Sequence, residues 1–346
     1  MTYYTNKRIL IIGGTGTIGQ GLVKELIKHK PKVIRILSRD EYKQFLMQNK
    51  YGSGGMFRFF IGDVRDYDRV ERAMNDIDIV FNLAAMKHVP ACEYNPSEAI
   101  KTNVNGMENV IKAAVYNNVK CVIFTSSDKA INPTNSYGAT KLLAEKLVQA
   151  ANYSKGPVET KFVAVRFGNV IGSRGSVIPL FKKQIIEEKR VTVTDETMSR
   201  FMMTLDQAVK LTMKAAEICY GGELFILKMP VVKLKYLTEV IIEEVCKEYN
   251  ISTETIKIEN IGLRPGERMY EELMTEEESE YAYDLGNMYA VMPTTFNRSE
   301  YEKFYKSFNH SIKKGYTSHS IEPLTKNETR DLILQGLNVD SERGTV

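Results

Sequence analysis

Arg8-Ile9-Leu10-Ile11-Ile12-Gly13-Gly14-Thr15-Gly16-Thr17-Ile18-Gly19 decides how this chain folds. The aliphatic run over 8–12 is long enough for one buried strand, the glycines stop it, and a helical pattern follows over 20–30. Gly13, Gly16 and Gly19 stand at GxxGxxG spacing, which supplies a tight turn, a close backbone approach to a pyrophosphate and close packing of helix on strand. The helix N-terminus then turns unpaired N–H groups and a positive dipole end toward the phosphates. A glycine-rich turn alone is a weak signal. Its position between the first strand and the first helix makes Gly13, Thr15, Gly16, Thr17, Ile18 and Gly19 a candidate dinucleotide site.

Working outward, strands are expected over 8–12, 33–37, 57–61, 79–82, 121–124 and 161–166, alternating with helical stretches and mostly apolar on both faces. That pattern predicts an α/β fold, a Rossmann-type doubly wound parallel sheet of two mononucleotide halves with a smaller C-terminal substrate-binding domain. After Arg166 the rhythm changes, with a glycine-rich stretch over 167–175 and a helix over 178–188. The expected division is a nucleotide-binding domain over 1–170, completed by a helix and strand within 205–228, and a lid over 171–204 and 229–296. The polar, lysine-rich segment 297–346 reads as an appendage or mobile end.

The chain has 346 residues, 43% of them hydrophobic, so it can bury a large core. Its 47 Lys and Arg against 43 Asp and Glu leave a formal charge of +4, spread rather than massed, which argues against a nucleic-acid partner. No apolar run reaches the ~18 residues of a membrane span, and the start lacks a signal-peptide core, so a cytoplasmic protein is expected. Cys92, Cys121, Cys219 and Cys246 are scattered, as are the four histidines, so no metal site is expected.

The second strand ends in Ser38-Arg39-Asp40. An acid at the strand tip would hold a ribose 2′-hydroxyl, whereas Ser38 and Arg39 suit a 2′-phosphate, so NADP is favoured over NAD. Asp63 and Val64, after the third strand, are placed to meet the adenine; the plainer role for Asp63 is a helix cap. Ala84 and Ala85 are small enough to let a cofactor lie against the sheet.

The fifth strand runs into Ser126-Ser127-Asp128-Lys129, and Tyr137-Gly138-Ala139-Thr140-Lys141 opens the next helix. Residues four apart share a helix face, so Lys141 is expected beside Tyr137, lowering the phenol pKa toward working pH and making Tyr137 a base. Such a pair is common by chance; its position ten residues after Ser127, on the helix after the fifth strand, makes it chemical.

Further stretches carry a more specific likeness: Ser38-Arg39-Asp40-Glu41, Met86-Lys87-His88-Val89-Pro90, Glu93-Tyr94-Asn95-Pro96, Lys101-Thr102-Asn103, Ser127-Asp128-Lys129-Ala130-Ile131-Asn132-Pro133, Arg166-Phe167-Gly168-Asn169-Val170 and Leu263-Arg264-Pro265-Gly266-Glu267. On these the chain, over 7–293, resembles the UDP-N-acetylglucosamine 4,6-dehydratases among the extended short-chain dehydrogenase/reductases. The family often has Thr where Ser127 stands, and often Trp near Arg200-Phe201-Met202, whereas this chain has no Trp.

The resemblance implies a UDP-sugar substrate oxidised at C4 by the nicotinamide, dehydrated across C5 and C6, and reduced at C6 to a 4-keto-6-deoxy sugar, with or without inversion at C5. It implies Tyr137 as base assisted by Ser127 and Lys141, Asp128 as the acid that protonates the leaving hydroxyl, and Lys129 as the base at C5. Neutral Lys129 would be favoured by burial and by Lys141, and protonated Asp128 by burial. Lys87 and Asn103 would lie near the sugar, Asn169, Arg200 and Arg264 at the diphosphate or sugar, and Thr194 and Glu267 near the nucleoside. A homo-oligomer pairing through helices over 98–116 and 141–152 is expected. A 4-epimerase would use the same Tyr and Lys without the Asp128-Lys129 couple, and a non-catalytic dinucleotide sensor would need neither.

Overall fold

The structure is a computed structural model, described here for residues 2–173, 176–263, 266–294, 298–311 and 314–341, the side chains of 298 and 338–341 excepted. Its strands β1 (Arg8–Ile12), β2 (Val33–Ser38), β3 (Phe57–Ile61), β4 (Ile79–Asn82), β5 (Cys121–Thr125) and β6 (Lys161–Arg166) lie where the apolar runs predict them. They pair in parallel in the order β6-β5-β4-β1-β2-β3, so the order in which strands are added reverses between β1 and β4. Ligands of such sheets bind at that reversal, beyond the carboxyl ends of the strands. β1, β4 and β5 are buried along nearly their whole length, whereas edge strand β3 leaves Arg58 and Ile61 exposed.

Caps set the helix starts. Asp40 accepts from the Lys43 amide, Asp66 from Arg69 and Asn135 from Gly138, each meeting an amide that the first turn leaves unpaired. Gly52, at φ +81°, ends the helix Glu41–Tyr51. The helix Gly106–Tyr116 is preceded by a π-helical turn, Lys101–Asn105, whose wider bore re-aims Asn103.

The chain divides into two compact units, and the division departs from the expected one. The first takes residues up to Phe167, Val209–Lys228 and Met274–Gly315; the second takes Gly168–Ala208, Met229–Leu273 and the chain from Tyr316 onward. The expected lid segment 229–296 is thus split, because Leu224–Leu227 pairs in parallel with β6 and then antiparallel with Met288–Val291, which pairs with Ala282–Asp284. The described residues of segment 297–346 are not an appendage. Tyr305 stacks on Tyr283 and donates to buried Glu223 at 2.8 Å, completing the first unit. In the second unit the helix Lys326–Ser341 buries Leu332 and Ile333 in the core formed by Phe181, Ile185, Val240 and Ile241. A compact patterned tail was masked by its lysines: Lys326 and Arg330 pair with Glu239, Glu243 and Glu244.

A buried charge network closes the first unit. Arg166, 1% exposed, forks onto Glu145 at 3.0 and 2.6 Å and onto Glu278 at 2.8 and 3.0 Å. Buried Glu145 exchanges its water for paired Arg166 donors, which is what allows a charge in that position, while Glu278 stays partly exposed.

Candidate active site

β1 delivers the chain to Gly13, whose φ of +78° suits a residue without Cβ; a Cβ there would lie 2.9 Å from the Ala84 amide. A Cβ on Gly19 would lie 2.4 Å from the Gly14 carbonyl oxygen, so the helix Thr17–Lys28 packs directly on the turn. Exposed Gly16 differs: only the Gly13 carbonyl oxygen, at 3.3 Å, comes within 4 Å of its Cβ position, and as N-cap it donates no side-chain cap. An open glycine before an uncapped helix N-terminus fits a pyrophosphate, so these residues fit a dinucleotide. Buried Thr15 anchors the loop by a 2.7 Å bond between its hydroxyl and that of Ser38.

At the ends of β2 and β3 the charges pair. Asp40 is spent on the helix cap and on Lys43. Asp63 accepts from the amide and guanidinium of Arg65 and lies 3.5 Å from Arg39; burial works to raise its pKa, and the Arg65 bonds outweigh that and hold it below the usual carboxylate range. Asp63 is therefore not the helix cap, a place taken by Asp66. Val64 is buried where Gly106 leaves room for it, and Ala84 and Ala85 are partly exposed after β4.

β5 ends at Thr125 and a single 3₁₀ turn, Asp128–Ala130, follows, capped by Ser127. The helix Ser136–Ser154 then starts hard against that turn. A Cβ on Gly138 would sit 2.0 Å from the Lys129 carbonyl oxygen, so this glycine lets Tyr137 come up to the Ser127–Lys129 corner. Ser127 donates to Asp128 Oδ1 at 2.7 Å, Lys129 Nζ lies 2.9 and 3.2 Å from the two Asp128 oxygens, and Ser127 is also hydrogen-bonded to the Tyr137 hydroxyl. Asp128 is buried, while the Lys129 side chain is 36% exposed. The four side chains form one connected chain of polar groups.

Two expectations about charge need correction. Burial pushes the Tyr137 phenol up to about 12; Lys129 and the Ser127 bond oppose this, so the cation that acts most on it is Lys129. Lys141 is buried, donates to the Thr125 carbonyl oxygen at 2.7 Å and lies 4.4 Å from the Phe124 ring centre, and burial lowers its pKa to about 7. Lys87 is a like-charged neighbour of Lys129: partial desolvation and then the charge of Lys129 lower the pKa of Lys87, although its side chain reaches solvent.

Asn103 does not present its amide to a ligand. Its Oδ1 accepts from Met86 N at 2.8 Å, and its Nδ2 donates to Met86 O at 3.0 Å and Thr140 Oγ1 at 2.9 Å, so it clamps the loop after β4 to the helix bearing Tyr137. In the second unit Thr194 is buried, with its hydroxyl donating to Met198 Sδ. Arg200 donates to the carbonyls of Ser199 and Met269 and pairs with Glu267 at 3.4 Å and Glu271 at 3.5 Å. Asn169 donates to Glu271. Arg264 lies outside the described residues. Sequence reasoning missed Glu271, Glu145 and Gly138; only Gly138 left a signal, lying inside the Tyr137–Lys141 motif.

A family model described as "Polysaccharide biosynthesis protein" matches residues 9–293. The chain belongs to that family. Over 293 residues, 84% of each chain, this member is 45% identical to the inverting UDP-N-acetylglucosamine 4,6-dehydratase of Campylobacter jejuni. It is 40% identical over 337 residues, 96% of each chain, to the UDP-glucose 4-epimerase of Rickettsia bellii. Among solved structures it is similar to Pen from Bacillus thuringiensis, with 53% identity, a TM-score of 0.90, and coverage of 97% of this chain and 99% of that one. Its fold is that of the extended short-chain dehydrogenase/reductases, and no helix among the described residues is long and apolar enough to cross a membrane.

Proposed function

We propose that this protein uses NADP to convert UDP-N-acetylglucosamine to a 4-keto-6-deoxy sugar by 4,6-dehydration. One observation carries the reading: Asp128 and Lys129 are joined to each other and, through Ser127, to Tyr137. Oxidation of a sugar hydroxyl needs only a base; elimination of water from C5 and C6 needs an acid and a base together, because hydroxide leaves poorly. The charged Asp128–Lys129 pair and its neutral acid–amine form hold the same number of protons and differ by one transfer across 2.9 Å. The couple can therefore give one proton to the C6 oxygen and take one from C5 without net charge change.

A nicotinamide held by the Gly13–Gly19 turn would supply a hydride acceptor at C4 and a hydride donor at C6, a proton returned to C5 completing the reduction. Tyr137 takes the C4 hydroxyl proton as a phenolate, its own proton having been given up to water beforehand, and Ser127 holds that oxygen. Lys141 fixes the tyrosine helix to the end of β5 through Thr125. Ser38 and Arg39 would carry the 2′-phosphate, with Arg39 drawn from its 3.5 Å approach to Asp63; Arg39→Ala should erase the preference for NADP over NAD. The name of the Campylobacter relative favours inversion at C5. Ile100 and Leu143, exposed on the two helical regions expected to pair subunits, suit a homo-oligomer, which light scattering of the purified protein tests.

The second reading is a 4-epimerase, favoured by the 40% identity to the Rickettsia relative over nearly the full chain. Proton NMR of the sugar after incubation with UDP-N-acetylglucosamine separates the two. A new C6 methyl resonance supports dehydration. A galacto-configured product with its C6 hydroxyl intact assigns epimerisation, and an unchanged sugar removes both.

A further inference from the structure

In the second unit the strands Arg190–Val193 and Lys257–Asn260 form a two-stranded parallel sheet that no other described strand extends. Parallel pairs are normally covered by further strands or helices, yet here Lys257, Ile258 and Asn260 stand exposed on the outer strand. Lys257 N donates to Lys189 O at 3.1 Å and Ile261 N to Val193 O at 2.8 Å, and the direction of backbone groups alternates along a strand. Ile258 and Asn260 therefore turn their N–H and C=O groups outward, where no described residue meets them. Ile256, extended at φ −88° and ψ 119°, turns its carbonyl the same way, while its amide is taken by the Thr253 carbonyl oxygen.

We propose that this edge pairs antiparallel with the same edge of a second copy of the chain, across a two-fold axis at Ile258. The inference goes beyond the reaction proposed above and does not depend on it. With Ile258 opposite Ile258, the two residues exchange both backbone bonds, and each Asn260 amide meets the Ile256 carbonyl of the other copy. Lys257 then lies opposite Glu259 of the second copy, twice, at positions without backbone bonds, where side chains come closest. Opposite charges meet in this register alone. Centring on Lys257 or on Glu259 sets like charges face to face, and centring on Asn260 leaves both without a counter-charge. The local charge balance agrees: Arg190 is shared by Glu188 and Glu259, each at 2.7 Å, which leaves that trio one negative charge, and Lys257 makes no ion pair with a described residue. Lys257 of the second copy makes the group neutral. Ile258, 46% exposed in one chain, is covered by its own copy. Four backbone bonds and two ion pairs make a joint smaller than that of a permanent dimer, so pairing should grow with concentration.

Analytical ultracentrifugation of the full chain over a range of concentrations tests this. At the highest concentration the wild type should reach at least twice the mass of Ile258→Pro, a change that removes only an outward N–H and costs no bond to Arg190–Val193. Lys257→Glu and Glu259→Lys should each weaken the pairing at least about tenfold, because like charges then face each other across the axis. An equimolar mixture of these two variants should recover it, since each carries the charge that the other lacks. Equal masses for the wild type and Ile258→Pro overturn the proposal, and so does a mixture that stays at the mass of its components. Should Ile258→Pro not fold, the two charge variants, alone and mixed, still decide.

Discussion

Lys129 places its ammonium 2.9 Å from Oδ2 of Asp128, and the carboxylate so held is also the acceptor of the Ser127 hydroxyl, 2.7 Å from Oδ1. Adjacent residues rarely pair this way on an extended strand, where side chains alternate; here the 3₁₀ turn brings both to one side of the corner that Gly138 lets Tyr137 approach.

Lys129→Ala should still allow oxidation at C4 and stall the elimination. Mixing the variant with UDP-N-acetylglucosamine should produce the absorbance of reduced nicotinamide, with the yield of 4-keto-6-deoxy sugar down by roughly 10² or more. A normal product yield would take Lys129 out of the mechanism.

Tyr137→Phe should abolish that absorbance change, with a rate loss of about 10²–10⁴, because no other group of the connected chain replaces the phenol at the C4 oxygen. The ring stays packed against Cys92 and Ala99, so thermal melting should move by only a few degrees.

Lys141 gives a pH prediction with a definite sign. Burial lowers its pKa to about 7 in the folded protein, against about 10.4 in an unfolded chain. As pH falls from about 10 to about 7 the unfolded state takes up a proton that the folded state refuses, so the penalty grows over that window and levels off below it, on the order of 4 kcal/mol. Lys141→Met should therefore be inactive yet more stable toward urea near pH 7, with the advantage shrinking toward about pH 10. A variant that is less stable at every pH would refute the assignment.

The two glycines of the first turn should separate binding from folding. Gly16→Ala sets its methyl 3.3 Å from the Gly13 carbonyl oxygen, a tight contact that a shift of a few tenths of an ångström relieves, and should cost about 1 kcal/mol of stability while cofactor affinity drops at least about tenfold. Gly19→Ala drives a methyl to 2.4 Å from the Gly14 oxygen and should lower stability and cofactor affinity together. Fluorescence titration with NADP and urea unfolding read the two effects; equal behaviour of the pair would contradict the geometry.

Arg166→Lys keeps a positive charge but cannot fork onto both Glu145 and Glu278. We expect a loss of about 3 kcal/mol in urea unfolding, since a carboxylate is left buried without its donors. A change under ~1 kcal/mol would mean that water fills the gap.

Local information sufficed for much of this protein. The β1 strand, its glycine turn and the following helix are read from twelve consecutive residues, because strand period, turn glycines and the helix start are properties of neighbours in the chain. The six parallel strands and the Ser127–Lys141 segment follow for the same reason. Tertiary structure alone decided the rest. Met288–Val291 is an ordinary apolar run until Leu224–Leu227 offers it an edge, and the last helix is a lysine-rich tail until Glu239, Glu243 and Glu244 neutralise it. Asn103, Thr194 and Asn169 carry donors suited to a ligand, but what a donor does depends on which acceptor the fold sets beside it. For Asn103 and Asn169 that acceptor is the Met86 carbonyl and the Glu271 carboxylate, brought there by pairing and packing, whereas for Thr194 it is the sulfur of Met198, a neighbour in the chain. Side-chain polarity is written residue by residue; its direction is fixed only once distant segments share a core.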